Sequence, residues 1–244
     1  QREIYRANTN ATIAQGIYHI YPSRSVDDEI INETELGMMF AWTNSYNKLV
    51  RFQCAIGAYV KICYNGMVAG DMMNFKRKHT GTANLDCSIN IADQVKNAEK
   101  YYKRIIQDRD AMKMITLTDR EQAELVGRMF VQEELIDSQQ TSIIKAELAK
   151  PSFHYGTESN TCWTFYNHVT HALKKAHPRY WLQDSQNFHD FIVAECLNNS
   201  QPALKKETIL SDKVVVISEP VSEVVEVDED ITDTQLIENV FLDQ

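Results

Sequence analysis

The sequence predicts an α+β fold: an N-terminal antiparallel sheet over residues 11–80, packed by C-terminal helices over 91–197. Three observations predict it. Apolar residues recur with period two before residue 80 and near period 3.6 after residue 91. Asn65-Gly66 lies between two β-prone runs, the strongest short hairpin signal available. Thr118-Asp119-Arg120-Glu121 reads as a capping box that starts a helix. The chain has 244 residues, 43% hydrophobic and 24% charged. That is enough to bury a core, and a single domain over 1–200 is expected.

The elements follow in order. Residues 11–21 place Ile13, Ile17 and Tyr21 on one face and Tyr18 and Ile20 on the other, which suits a strand covered on both sides. Gly37 opens a strand from Met38 to Thr43. Residues 49–64 form a long β run in which Gly57 marks a bulge or bend. The Asn65-Gly66 turn leads to a return strand at 67–70, and 75–80 is a short basic strand. In 91–112, Ile91, Val95, Ala98, Tyr102, Ile105 and Met112 share a helical face. The helix after Thr118 buries Val126, Met129 and Phe130. The pattern continues through Ile136, Ile143, Ile144 and Leu148 until Pro151. Residues 161–176 form a further helix, and Ser185 caps a last one with Phe188, Phe191 and Ile192 inward.

Composition excludes several classes. No run approaches 18 apolar residues, so no transmembrane helix is expected. Gln1-Arg2-Glu3 opens no signal peptide, and without an initiator Met the chain reads as processed, trimmed or a fragment. Five Cys without C-x-x-C spacing suggest reduced thiols in the cytosol. There is no Walker A, G-x-G-x-x-G or G-x-S-x-G motif, so no cofactor is implied. His168 and His171 stand i,i+3 on one helix, but four-ligand zinc spacing is absent and no metal is expected.

Charge is placed unevenly. Residues 207–244 hold eleven acids against Lys213, a net of −10, while 1–206 hold 24 bases against 23 acids. Residues 201–244 are therefore expected to be an acidic, largely disordered tail. Leu236, Ile237, Val240 and Phe241 would share one face of a short helix at 234–242. An acidic arm with an apolar tip suits a protein partner. The neutral body stays open to an anionic one.

The most informative feature is a basic–aromatic hairpin. Lys48, Arg51, Lys61, Lys76, Arg77 and Lys78 stand against one acid, Asp71, with Tyr59 and Tyr64 interleaved and His79 following. Cations that track phosphates and rings that stack on bases suit single-stranded nucleic acid. The competing reading is an amphipathic sheet with ordinary outward lysines.

Val60-Lys61-Ile62-Cys63-Tyr64-Asn65-Gly66-Met67 and Phe75-Lys76-Arg77-Lys78-His79-Thr80 resemble signature stretches of the phage/plasmid-like family known as domain of unknown function 932. Asn44-Ser45-Tyr46 is similar to a third stretch, although Asn47-Lys48 replace the family's Asp-Gly. Asn160 to Thr170 (NTCWTFYNHVT) resembles its helix motif. The resemblance spans roughly 36–190 in order. It implies a bacteriophage, prophage or plasmid origin and action in the bacterial host cytoplasm, and it implies no reaction. It singles out Cys63, Asn65, His79, Trp163, Tyr166 and Asn167.

Three functions compete on this reading. The first is a nucleic-acid-binding protein, for single-strand binding or annealing in replication or recombination. The second is an interaction protein that counters host defence through its acidic tail. The third is an enzyme with a site near His79 and Cys63, the least favoured. Homo-oligomerisation stays open.

Overall fold

Period-two alternation becomes a curled antiparallel sheet because both of its faces have helices to bury against. The computed structural model describes residues 2–21, 33–68, 73–77, 91–92, 96–157 and 160–198. The expected acidic tail, its short helix, Lys78 and His79 lie outside the described residues.

Six strands are described: β1 (Arg2–Ala7), β2 (Ile13–Ile20), β3 (Leu36–Ser45), β4 (Phe52–Val60), β5 (Asn65–Met67) and β6 (Met73–Arg77). They run as an antiparallel meander, β1-β2-β3-β4, and then β5 and β6 both pair with β4. β5 lies beside Ala58–Val60, and β6 beside Phe52–Ala55. β1 was not expected. Its six residues are too few and too polar for alternation to reveal an edge strand.

The helices whose bounds are described are α1 (Ala98–Lys113), α2 (Asp119–Val131), α3 (Ser138–Ala149), α4 (Cys162–Leu173) and α5 (Trp181–Ile192), followed by a π-helical turn at Val193–Asn198. The α+β class and the order of sheet before helices hold. No described helix is long and apolar enough to cross a membrane.

The two sheet faces bury different partners. Leu36, Met38, Ile56, Ala58 and Val60 pack in one core with Tyr102, Ile105 and Ile106 of α1. Ile17, Met39, Ala41, Ala55 and Tyr59 pack in another with Ala176, Trp181 and Leu182. β2 is covered on both sides, by Ile17 in the second core and Ile20 against the first, although Tyr21, expected beside Ile13 and Ile17, is exposed just past its end. Arg109 of α1 ties the helix to the chain entering β3, with its guanidinium 2.8 Å from Glu33 Oε1. Burial alone would raise the Glu33 carboxyl. The Arg109 bond and the Leu36 and Glu35 amides hold it below its ordinary value.

Several local expectations are corrected. The β4–β5 turn is Lys61–Tyr64, not Asn65-Gly66. Tyr64 takes the left-handed conformation at φ 55°, while Asn65 and Gly66 pair with Val60 and Tyr59 inside the sheet. Gly66 is needed for close approach instead: a Cβ there would stand 2.7 Å from the Trp181 ring. Gly57 makes no bulge, because β3–β4 pairing runs unbroken through it. The irregularity falls at Cys54/Ala55, opposite β6.

The expected continuous pattern from 118 to 150 is two helices. Asp137 accepts from Gln140 N at 2.7 Å while the Gln140 side chain accepts from Asp137 N, a second capping box. The Thr118–Glu121 box forms as predicted. α2 buries Gln122, Leu125 and Met129, and leaves Phe130 exposed. α5 starts at Trp181, so Ser185 lies buried inside it rather than at its cap.

Candidate nucleic-acid interface

The site begins with where α4 ends. Thr161 caps α4 by accepting from Thr164 N at 3.2 Å, and the helix is buried on nearly every side. It runs beside β5, the short strand of the sheet edge, and Lys174 ends it. Residues 174–180 (KKAHPRY) then turn the chain into α5 across one sheet face. Thr43 Oγ1 donates to the Pro178 carbonyl at 3.3 Å, which fixes this corner to β3. Arg6 of β1 donates to the carbonyls of Lys174 and of Ala176, the latter at 3.0 Å. Its Nε donates to Gln15 Oε1 at 3.1 Å.

β1, its turn and this corner enclose an open groove of about 550 Å3, lined by Arg6, Asn8, Asn10, Lys174, Lys175 and His177 among others. None of its described lining residues is acidic. The β1–β2 turn is rigid on that side, because Asn8 Oδ1 accepts from Thr12 N at 2.8 Å and from Ile13 N at 2.9 Å. Burial lowers the Arg6 guanidinium and the Lys174 ammonium from their ordinary values. An anion in the groove would offset that lost hydration. Further along the corner, the Arg179 guanidinium lies 5.2 Å from the Tyr180 ring centroid.

The corner reaches the predicted hairpin at Cys63. Lys174 Nζ donates to the Cys63 carbonyl, next to Tyr64. There the rings of His19, Tyr59 and Tyr64 lie parallel within 8°. His19 and Tyr59 are stacked at 3.7 Å, and Tyr64 is offset from them by 5.7 and 5.9 Å. Tyr59 is buried at 9% exposure, whereas Tyr64 is 55% exposed.

The predicted interface residues separate into two groups. Tyr59, Lys61 and Tyr64 meet at one end of β4. Lys61 is exposed and its ammonium donates to the Glu33 carbonyl at 2.6 Å. Lys48 and Arg51 are exposed in the β3–β4 connection, at the other end. The backbone of Arg77 pairs there with Phe52, and that of Lys76 with Gln53. The eight steps of β4 between Phe52 and Val60 separate the two groups by about 26 Å at ~3.3 Å per residue. The cations at Tyr64 are Lys61 and Lys174. The β1–β2 turn of the groove lies toward the other end of the sheet, where Tyr46 N donates to the Thr12 carbonyl at 2.8 Å. The hairpin reading missed Lys174. A signal was present: no acid stands between Glu158 and Asp184. Another cation-rich groove, on α1, carries Lys96, Lys100, Lys103 and Arg104. It also carries Glu99 and Asp108, so its sign is mixed.

The positions singled out by resemblance are mostly buried posts. Asn65 Nδ2 donates to the Asn167 carbonyl at 3.0 Å and to its Oδ1 at 3.2 Å. Asn167 Nδ2 donates to the Trp163 carbonyl at 2.9 Å. The Cys63 thiol faces Asn167 Oδ1 at 3.9 Å. Burial pushes that thiol up to about 11, so it is protonated at neutral pH, poorly suited to nucleophilic attack. Tyr166 is wholly buried, with its hydroxyl 3.1 Å from His189 Nδ1, and His189 Nε2 lies 3.2 Å from Asp108 Oδ2. That relay joins α4, α5 and α1. His168 is buried and His171 half-buried, on either side of Glu147 at 3.5 and 3.8 Å. Among the described residues, no cluster of three or more His, Cys, Asp or Glu could hold a metal ion.

A family model described as "Domain of unknown function (DUF932)" matches residues 17–205, from β2 through the end of the described helices. No curated protein and no solved structure matches the chain.

Proposed function

Since the chain belongs to the family described as domain of unknown function (DUF932), whose description carries no activity, we propose a function from the site itself: the protein binds the backbone of nucleic acid in the groove between β1 and the 174–180 corner. One observation carries this reading. Arg6, Lys174, Lys175 and His177 line a groove with no acid among its described residues, in a body whose charge is otherwise balanced. Cations gathered without counter-charge bind polyanions by releasing the polyanion's condensed ions. The setting we favour is single-strand binding or annealing during replication or recombination of a bacteriophage or plasmid, in the bacterial cytoplasm.

The test is the salt dependence of binding to a fluorescent 30-nucleotide DNA strand. Affinity should fall steeply as salt rises. Lys175→Ala should reduce the slope of log affinity against log salt by about 0.7, the share of one phosphate contact on a single strand. Lys100→Ala, on the mixed-sign α1 groove, should leave it unchanged. Salt-insensitive binding, or equal effects of the two variants, would remove the groove from consideration.

A further inference from the structure

The groove explains attraction to any nucleic acid, duplex or single-stranded. The ring group at the β4–β5 turn, joined to the groove through Lys174, is more selective. His19, Tyr59 and Tyr64 present three parallel rings at the end of β2 and the β4–β5 turn. The inner two are buried, and only Tyr64 is largely open to solvent.

Tyr64 reaches this place at a conformational cost. It is a non-glycine residue at φ 55°, in the left-handed region that L side chains rarely occupy. Asn65 and Gly66, the residues best suited to that conformation, stand immediately after it and are used as strand instead. A left-handed bulky residue held by its surroundings is a recurrent sign of a functional constraint. The constraint has a visible product: a tyrosine plane aligned with its neighbours rather than turned away into solvent.

The neighbouring charge fits the same use. Lys174 Nζ is bonded to the carbonyl of Cys63, the residue before Tyr64, and Lys174 also lines the acid-free groove. Lys174 thus joins the groove to the turn that carries Tyr64, so that a strand bound in the groove can run on to the exposed ring.

We infer that Tyr64, parallel to and beside the buried His19–Tyr59 pair, is a base-stacking platform that makes the protein select unpaired bases over duplex. This rests on the groove binding nucleic acid. The physical reason is access: a base in single-stranded nucleic acid can rotate onto an exposed ring, while a base in a duplex has both faces occupied by its neighbours. Stacking on an aromatic plane is tolerant of sequence because every base has such a face. Loss of a ring of this kind costs tenfold or so in affinity.

The experiment compares Tyr64→Ala, Tyr64→Phe and Lys175→Ala on three probes: a 20-nucleotide poly-dT strand, a 20-nucleotide poly-rU strand and a 20-base-pair DNA duplex. Tyr64→Ala should weaken binding to the single strands roughly tenfold without changing the salt slope, and leave duplex binding as it was. Tyr64→Phe, which keeps the ring, should retain wild-type affinity. Loss on only one of the two single strands also supports the platform, and shows which of the two polymers it prefers. If Tyr64→Ala binds single strands as well as wild type, or weakens the duplex equally, while Lys175→Ala still flattens the salt dependence, the platform is wrong and the groove stands. If the wild-type protein binds none of the probes, both fall.

Discussion

Asn65 Nδ2 and the main-chain carbonyl of Asn167 are 3.0 Å apart, although 102 residues separate them in the chain. This bond fastens the first residue of β5 to the middle of α4. It therefore sets where the β4–β5 turn, with Tyr64, stands relative to the corner that ends α4. Both asparagines are fully buried, so their hydrogen bonds compete with no water.

Replacing Asn65 with Ala removes two bonds and leaves buried polar groups of Asn167 with fewer partners. A loss of about 1–3 kcal/mol in unfolding free energy is expected. Urea denaturation measures it. A change below about 0.5 kcal/mol would show that the pairing does not hold the hairpin.

Gly66→Ala places a methyl group where the Trp181 ring already stands, at 2.7 Å. The sheet cannot yield without moving α5. The expected cost is about 1–3 kcal/mol, read from the shift in denaturation midpoint. A stabilised variant would contradict the close approach of Trp181, since Ala is favoured over Gly only where it fits without strain.

His168 and His171 give the fold a dependence on pH. Burial lowers both imidazoles from their ordinary value, against the pull of Glu147, and His171 is lowered further by Lys174 and Lys175. A histidine depressed in the folded state takes up its proton more readily when unfolded. Its stabilising effect is thus complete above the ordinary histidine value and is lost as pH falls through about 6.5. Glu147 is held below its ordinary value despite its burial, by Ser152 above all. Its contribution persists above the usual glutamate range and is lost lower still. Thermal unfolding should be flat from pH 8 to 7 and decline below 6.5. His168→Gln should blunt the upper part of that decline. An unchanged decline in the variant would assign it elsewhere.

Asp137→Ala tests the capping box missed in the sequence. It removes the acceptor for Gln140 N at the start of α3. The expected loss is about 0.5–2 kcal/mol, measured by chemical denaturation.

Much of the fold was legible because burial on one or two faces imposes a period, and the periods here change near residue 90. The Thr118–Glu121 box was legible for a local reason, since its two partners are three residues apart. The second box was obscured by apolar residues on either side. Ile136, Ile143 and Ile144 keep a helical spacing across a break that only Asp137 and Gln140 announce. The hairpin turn was misplaced because Asn65 has a better use than left-handed geometry, and its partner Asn167 is remote in sequence. The site was half legible. Tyr59, Lys61 and Tyr64 do stand together. Of the groove, only the 174–180 side had a signal, the run without acids; the other side, Arg6 to Asn10, comes from a strand and turn too short to recognise.

Bound nucleic acid should lie along the 174–180 corner and over Tyr64. Photocrosslinking locates it, with a single DNA strand carrying 5-iodouracil in place of thymine and adducts mapped by mass spectrometry of the digested protein. Adducts are expected on Tyr64 and within Lys174 to Tyr180, suppressed by unlabelled strand and by high salt. Adducts confined to other surfaces, such as the Lys96–Arg104 face of α1 or the Lys48–Arg51 end of the sheet, would contradict it.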